Sequence, residues 1–354
     1  MFLLRFVVNW ILRIGILESF LIFFVLINIL TYSLYVIIKR RVASEDKLKT
    51  TCYTYALIFF TLACGGIGTL LAACLDKHKT ISKKLRPVVV AGMIITVLPM
   101  IHIAHGLTLD KNIRFVEVEF HCYNWPAALD GYRIAFMTDM HVIADETMKA
   151  VAATLNEKNI DILLLGGDFA MRDSHYQGTI REISQIQTSD GILGVEGNHD
   201  DYIRLFNAKL QYGITPLDNS GIRIHEGFYL AGVQDKWNRN PNISQAIAGA
   251  YPGDFVLLVS HNPDVAMVQP TMGVDLILSG HTHAGQITFF GFAMYLLRGS
   301  ITDYGTRFSR GFAYSADGTA VFTSSGIGVY YTIPRIFARP EVVIFTMYSQ
   351  QRRQ

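Results

Sequence analysis

The sequence predicts an α-helical membrane region followed by an α/β domain. Of the 354 residues, 51% are hydrophobic and 17% are charged, whereas an average soluble domain has roughly 25% charged residues. The balance of positive and negative charge differs between two parts of the chain. Residues 1–110 contain 12 Lys or Arg against 5 Asp or Glu, and the remainder contains 19 against 24. The four cysteines show no paired spacing, which indicates neither a disulfide framework nor a cysteine zinc site.

Three stretches near the N-terminus are apolar over lengths that fit transmembrane helices. They cover residues 16–38, 53–75 and 88–105, and each is about long enough to cross a hydrocarbon core of roughly 30 Å. The alternative is buried helices of a soluble protein, but such helices rarely stay apolar on every face. We therefore expect residues 1–106 to form a membrane region with about three helices. Residues 1–15 either extend the first helix or lie at the membrane interface.

Basic residues do not determine the orientation of this region. The loops after the first and second predicted spans each carry five Lys or Arg residues, and the positive-inside rule favours a cytoplasmic position for both. With three spans, however, these loops lie on opposite faces of the membrane. The sequence therefore leaves open the side on which the following domain lies.

The pattern changes from about residue 111, where short runs rich in Val, Ile and Leu end in polar clusters, as buried strands do. Thr147–Lys158 and Thr179–Ile186 have helical spacing. Strands alternating with helices indicate an α/β domain, which we place at residues 111–348. The predicted strands are Arg133–Met137, Ile160–Leu165, Ile192–Val195, Phe255–Val259, Val274–Leu278, Ala320–Thr323 and Val342–Thr346.

Five of these strands are followed by residue types that bind metal ions. Because sites in open α/β sheets form beyond the carboxyl ends of strands, we expect the five ends to converge on one edge of a sheet. Any one cluster alone could be a turn, a helix cap or a surface histidine, but chance rarely places all five in order. The clusters are Asp139-Met140-His141, Gly167-Asp168, Gly197-Asn198-His199-Asp200, Ser260-His261 and Gly280-His281-Thr282-His283.

The donor types in these clusters favour two divalent cations. Carboxylate, amide and imidazole donors without a thiolate suit Mn, Fe, Zn or a mixed pair. Asp168 is the natural bridge, because one carboxylate can bind two cations at once. The candidate ligands are Asp139, His141, Asp168, Asn198, His261, His281 and His283.

The five clusters resemble the sequence blocks of the calcineurin-like metallophosphoesterase superfamily, over about residues 131–286. This resemblance implies a β-sandwich flanked by helices (α/β/β/α) and two divalent metal ions, with Mn²⁺ favoured and Fe or Zn as alternatives. It implies one metal on Asp139, His141, Asp168 and His283, and another on Asp168, Asn198, His261 and His281. His199 would act near the leaving-group oxygen, oriented by Asp200. The chain departs from the family in lacking an Asp soon after Asp168.

Further motifs are similar to a bacterial subgroup of transmembrane metallophosphoesterases. They are Gly280–Gln286 and the tail formed by Gly326–Gly328, Pro334-Arg335 and Arg339–Glu341. The subgroup includes enzymes implicated in cleaving UDP-2,3-diacylglucosamine during lipid A synthesis. The resemblance implies a phosphodiester or pyrophosphate substrate, such as this nucleotide-linked lipid, and a location in the bacterial inner membrane. Similarity to secreted relatives favours an extracytoplasmic domain.

Other functions remain open at this point. The chain could be an extracytoplasmic phosphatase of soluble or wall-derived phosphates, or a catalytically silent membrane sensor or scaffold. Residues 237–242 and 289–308 could cradle a substrate or pack as ordinary loops, and Arg298, Arg307 and Arg310 could bind phosphate. No P-loop, dinucleotide fingerprint or basic nucleic-acid patch is present. A transporter or channel finds little support, because Glu18 is the main charged residue within the apolar stretches.

Overall fold

A computed structural model describes two compact units, Met1–Ala104 and His105–Gln354. No helix among the described residues is both long and apolar enough to cross a membrane. The predicted span 53–75 lies outside the described residues, as do most of 16–38 and 88–105. The described residues are 25–33, 36–37, 90–91, 94, 97–98, 101, 104–105, 108, 112–170, 173–200, 207, 211–288, 301–330 and 335–350.

The described part of the second unit contains two six-stranded sheets. The first sheet has the order β1-β12-β2-β3-β4-β5 and the second has the order β10-β11-β9-β8-β7-β6. The strands are β1 (Arg114–Cys122), β2 (Tyr132–Met137), β3 (Ile162–Leu165), β4 (Ile192–Gly194), β5 (Ile214–Pro216), β6 (Ser220–His225), β7 (Phe228–Gly232), β8 (Phe255–Val259), β9 (Leu276–Ser279), β10 (Gly311–Tyr314), β11 (Ala320–Thr323) and β12 (Glu341–Ser349).

The strands that precede the candidate site run parallel within each sheet. Strands β2 to β5 are mutually parallel, and so are β7, β8, β9 and β11. Parallel strands present their carboxyl ends on the same edge, so the loops after β2, β3 and β4 lie together in the first sheet. The loops after β8 and β9 lie together in the second.

Alternating side chains divide the interior into three apolar layers. Phe136 and Leu164 of the first sheet belong to the same buried cluster as Leu257 and Leu278 of the second sheet. On the outer face of the first sheet, Leu163 and Leu165 pack with helices α1 (Asp145–Glu157) and α2 (Asp173–Ile183). On the outer face of the second sheet, Leu258 packs with the short helices α3 (Ile243–Ala246) and α4 (Val265–Val268). These layers give the expected α/β/β/α arrangement.

One expectation about the strand ends is wrong. The five strands that precede the metal-binding clusters do not share one sheet edge, because β2, β3 and β4 belong to the first sheet and β8 and β9 belong to the second. The clusters instead face each other across the top of the sandwich. Packing of the two sheets through their apolar inner faces brings these edges together.

Candidate metal centre

The loops that carry the clusters hold non-glycine residues in the left-handed backbone region. Asp139 (φ 54°) and His141 (φ 38°) follow β2, Asp168 (φ 56°) follows β3, and His281 (φ 69°) and His283 (φ 51°) follow β9. This conformation costs free energy for residues with a Cβ and persists only where the surrounding structure enforces it. Its occurrence at five predicted ligands indicates that these loops are shaped to aim side chains inward.

The first group of inward-facing atoms lies around His141. Its Nε2 atom is 2.9 Å from Nε2 of His283 and 3.3 Å from Oδ2 of Asp168. Oδ1 of Asp139 lies 3.2 Å from Nε2 of His283. Asp139 and His141 are fully buried, so these atoms meet away from bulk water.

The second group lies around His261. Its Nε2 atom is 3.3 Å from Oδ2 of Asp168, 3.1 Å from Oδ1 of Asn198 and 3.3 Å from Nδ1 of His281. The same Asp168 oxygen therefore faces both groups. Among the described residues, two sets have ligand atoms close enough to share an ion: Asp139, His141 and His283, and Asp139, Asp168 and His261.

The orientation of the histidines fits cation binding. The outward Nδ1 of His261 donates to the Gly166 carbonyl at 2.7 Å, and the outward Nε2 of His281 donates to the Ile301 carbonyl at 2.9 Å. A neutral ring that donates through one nitrogen presents a lone pair at the other. When both rings are neutral, their inward nitrogens join the Asn198 and Asp168 oxygens as acceptors that face one another. Their oxygen and imidazole chemistry suits a dinuclear divalent metal site.

The electrostatics of the site favour positive charge between these side chains. Burial lowers the pKa of His141 to about 3 and that of His281 to about 4, so both rings are neutral at pH 7. Burial opposes ionisation of Asp139, yet His283 and His261 hold the pKa of its carboxyl below the ordinary value. Burial also opposes a charged His261, but the Asp168 carboxylate raises the pKa of this ring well above its usual range, so that a proton on its inward nitrogen occupies the position that a metal ion would take. Two buried carboxylates therefore attract a cation to this point.

His199 and Asp200 make different kinds of contact at the centre. The ring of His199 lies beside the centre, 5.4 Å from the ring of His141, and its backbone N–H donates to Asp168 Oδ1 at 2.8 Å. The carboxylate of Asp200 accepts three backbone N–H groups, from Asp168 at 2.6 Å, Phe169 at 2.9 Å and Gly197 at 2.8 Å. Asp200 therefore fixes the loop that carries Asp168. These three contacts do not include the His199 ring, and its orientation by Asp200 stays a prediction.

A cavity of about 390 Å³ opens over the centre. Aromatic rings flank it on two sides: Trp237 packs edge-on against His281 at 4.6 Å, and Tyr330 lies 5.3 Å from His199. Gln286, Ile287 and Ile301 complete the wall beyond the candidate ligands and His199.

The sequence did not single out Tyr330 or Ile287 as parts of a site, whereas Trp237 and Ile301 belong to the predicted loops 237–242 and 289–308. The only sequence signal for Tyr330 was its nearness to the Gly326–Gly328 motif. The proposed phosphate-binding arginines do not all reach the cavity. Arg307 is exposed and donates to the Tyr314 carbonyl at 2.8 Å, and Arg310 is also exposed. Neither lines the cavity, and Arg298 lies outside the described residues.

Comparison with known proteins agrees with this geometry. Residues 132–285 match the sequence model of the calcineurin-like phosphoesterase family. The chain is 28% identical to an uncharacterized metallophosphoesterase of Bacillus subtilis, YkuE, over 63% of this chain and 82% of that protein. It is 26% identical to a transmembrane protein with metallophosphoesterase domain from Danio rerio, over 81% of this chain and 69% of that protein.

A third relative is an uncharacterized metallophosphoesterase of Helicobacter pylori, 28% identical over 60% of this chain and 58% of that protein. The family match begins at the first residue of β2 and ends two residues after His283, so it contains all seven candidate ligands. The chain therefore contains a calcineurin-like metallophosphoesterase domain and is a metal-dependent phosphoester hydrolase.

Proposed function

We propose that the protein is a membrane-anchored, dinuclear-metal-dependent phosphoesterase that hydrolyses a phosphodiester or pyrophosphate bond of a lipid-linked substrate. The observation that carries the hydrolytic part is the position of Asp168. One oxygen of its buried carboxylate lies 3.3 Å from both His141 Nε2 and His261 Nε2, between the two groups of inward-facing donors.

The two groups suggest which residues would hold each ion. Asp139, His141, Asp168 and His283 form one ligand set, and Asp168, Asn198, His261 and His281 form the other. Mn²⁺ is the ion we propose first, with Fe or Zn as alternatives, because the donors are oxygens and imidazoles. Two such ions would supply Lewis-acid chemistry, lowering the pKa of a water molecule and offsetting negative charge on the phosphoryl oxygens.

The remaining residues act on the substrate and on the shape of the site. His199 stands beside the His141 ring without belonging to either ligand set, which suits a proton donor or hydrogen-bond donor for the leaving-group oxygen. Asp200 holds the backbone of Asp168 in place through three N–H groups. Asn238 donates from its amide to the Asn198 carbonyl, which fixes the loop that carries Asn198 and His199.

The wall of the cavity supports an apolar substituent on the phosphate. Beyond the candidate ligands and His199, the described lining consists of Trp237, Gln286, Ile287, Ile301 and Tyr330, with no Lys or Arg among them. Apolar pockets with a few polar groups bind organic substituents of matching size. A lipid-linked phosphate such as UDP-2,3-diacylglucosamine fits such a wall. The apolar stretches 16–38, 53–75 and 88–105 would hold the domain beside a bilayer that contains such a substrate.

The substrate proposal is tested with the purified full-length protein, MnCl₂ and a panel of phosphates. The panel contains UDP-2,3-diacylglucosamine, a phosphatidyl diester, bis(p-nitrophenyl) phosphate and p-nitrophenyl phosphate, and mass spectrometry identifies the products. Release of UMP or of a lipid phosphate at a higher kcat/KM than for the soluble esters supports the proposal. Preference for the soluble monoester would favour the phosphatase alternative. Metal binding without any hydrolysis would favour a sensor or scaffold.

A separate experiment tests on which side of the membrane the catalytic domain lies. We propose an integral protein of the inner membrane with its catalytic domain on the extracytoplasmic side, and reporter fusions at the C-terminus measure that side. Alkaline phosphatase activity of the fusion is the expected result, and it would favour a lipid-linked phosphate other than a nucleotide-linked lipid such as UDP-2,3-diacylglucosamine. Activity of a reporter that works only in the cytoplasm would contradict this orientation and would favour a nucleotide-linked lipid made in the cytoplasm.

A further inference from the structure

A buried carboxylate behind the metal centre has no role in the chemistry described so far. Asp264, in the loop between β8 and helix α4, is fully buried. Its Oδ1 accepts the hydroxyl of Thr302 at 2.7 Å, and its Oδ2 accepts the backbone N–H of Asp303 at 2.7 Å. One carboxylate therefore holds two consecutive residues of a segment 38 and 39 positions away in the chain.

The segment held by Asp264 touches a candidate ligand directly. The residue before Thr302 is Ile301, whose carbonyl accepts the Nε2–H of His281 at 2.9 Å. The other nitrogen of that ring, Nδ1, faces inward, 3.3 Å from His261 Nε2. The Ile301 carbonyl thus decides which nitrogen of His281 carries the proton, since a ring that donates through Nε2 keeps its lone pair on Nδ1.

Lys236 is a further partner of the Asp264 carboxylate. Its ammonium lies 3.5 Å from Asp264 Oδ2 and also contacts the carboxylate of Asp303. A buried carboxylate needs such a partner together with hydrogen bonds to offset its loss of hydration. The residue after Lys236 is Trp237, which packs edge-on against His281 at 4.6 Å. The Ile301 carbonyl and the Trp237 ring both contact His281. Each belongs to a residue next in sequence to a partner of Asp264, which is Thr302 for Ile301 and Lys236 for Trp237.

We propose that Asp264 is a positioning residue for His281: it fixes residues 301–303 so that the Ile301 carbonyl sets the tautomer and angle of the ring, and it thereby raises the affinity for one of the two metal ions. This inference rests on the proposed dinuclear site. The affected ion is the one assigned to Asp168, Asn198, His261 and His281. The ion assigned to Asp139, His141, Asp168 and His283 has no His281 ligand, so its affinity should change little.

The test measures metal affinity, which an enzyme assay alone cannot separate from catalysis. Full-length protein is depleted of metal and titrated with MnCl₂ in a calorimeter. We expect Asp264→Asn to weaken one of two binding events by about 10- to 100-fold, the range seen when partners of metal ligands are removed. The other event should stay within about 2-fold of the wild type. The physical reason is that the amide introduced by this substitution cannot accept from both Thr302 and Asp303 while facing Lys236.

The matched control is Asp254→Asn. Asp254 is also a buried carboxylate with a cationic partner: it pairs with Arg223 at 2.8 Å, its side chain is 7% exposed, and it accepts the Tyr251 N–H at 2.6 Å. It precedes β8, at the opposite end of the strand from His261. Asp254→Asn should lower thermal stability without weakening either Mn²⁺ binding event.

A smaller change keeps the proposal testable if Asp264→Asn does not fold. Thr302→Val removes the hydroxyl that donates to Asp264 and should weaken the same binding event, whereas Thr302→Ser should retain it. Unchanged Mn²⁺ binding by Thr302→Val would overturn the proposal. So would equal weakening of the two binding events in Asp264→Asn, or the same weakening in the control Asp254→Asn. Absence of two Mn²⁺ events in the wild type would instead contradict the dinuclear site itself.

Discussion

The Nε2 atoms of His141 and His283 lie 2.9 Å apart, and the two rings are stacked with centroids 4.8 Å apart. A pair of facing imidazole nitrogens can share at most one proton, and Asp139 Oδ1 adds a third acceptor 3.2 Å from His283. These atoms oppose one another unless positive charge lies between them. Bound metal should therefore stabilise the fold as well as support catalysis.

The first prediction concerns thermal stability. Mn²⁺ at about 100 times its dissociation constant should stabilise the metal-free protein by about 2.7 kcal/mol, which corresponds to a rise in Tm of about 5–10 °C for a domain of this size. His141→Ala should lose most of this rise. His225→Ala is the control, because His225 pairs with Asp190 away from the centre. This variant should keep the full rise in Tm on addition of Mn²⁺. Differential scanning fluorimetry gives the comparison, and equal rises in all three proteins would contradict the ligand role of His141.

The second prediction separates catalysis from metal binding. His199→Ala should retain both metals but lose about 100-fold or more in kcat, because the ring lies beside the centre without belonging to a ligand set. Metal content by mass spectrometry and steady-state kinetics on the same preparation test this. His121→Ala, an exposed histidine of β1, should match the wild type. Unchanged kinetics in His199→Ala would exclude a catalytic role for His199.

The third prediction concerns the close approach of two loops. A Cβ on Gly280 would lie 2.2 Å from Thr138 Oγ1 and 2.4 Å from Asp139 Oδ2, distances that force the loops after β2 and β9 apart. Gly280→Ala should therefore lower metal affinity and destabilise the domain by about 1–3 kcal/mol. Gly253→Ala, where φ is +95° but no atom lies within 4 Å, should destabilise without changing metal content. Full metal binding by Gly280→Ala would show that the loops tolerate separation.

The fourth prediction is a pH dependence away from the centre. Burial, together with the hydrogen bond to Asp190 at 2.5 Å, raises the pKa of Tyr132 above its ordinary value. A raised folded-state pKa contributes stability that is present below about pH 10, the unfolded value, and is lost as the pH rises further. Tyr132→Phe should be less stable than the wild type at pH 8, and the gap should narrow above pH 10. A gap that stays constant across this range would contradict the assigned pKa direction.

Much of the site could be predicted from the sequence because its ligands follow buried strands directly. Predicted strand Phe255–Val259 agrees with β8, and Ala320–Thr323 agrees with β11. Strand β1 was not predicted, because its exposure alternates and its outward residues are charged, as at Glu117 and Glu119. The resemblance implied two packed sheets, but the assignment of strands to each sheet could not be predicted from local sequence, since it depends on strand pairs such as β12 with β2 that are distant in sequence.

The positioning role proposed for Asp264 could not be predicted from the sequence either. Its partners Thr302 and Asp303 follow it by 38 and 39 residues, and no local pattern joins them. The same holds for Asp200, whose position after His199 suggested a partner for that ring. The folded chain turns its carboxylate toward three backbone N–H groups. Local sequence thus indicated the metal donors, whereas the groups that orient them depend on long-range packing.

The central claim is a dinuclear site that shares Asp168. Its most direct test is the number of metal ions bound per chain in the wild type and in Asp168→Ala, measured by inductively coupled plasma mass spectrometry after loading with Mn²⁺. The account predicts two ions in the wild type, and one or none in Asp168→Ala together with loss of phosphoester hydrolysis. Two ions and wild-type turnover in Asp168→Ala would contradict it.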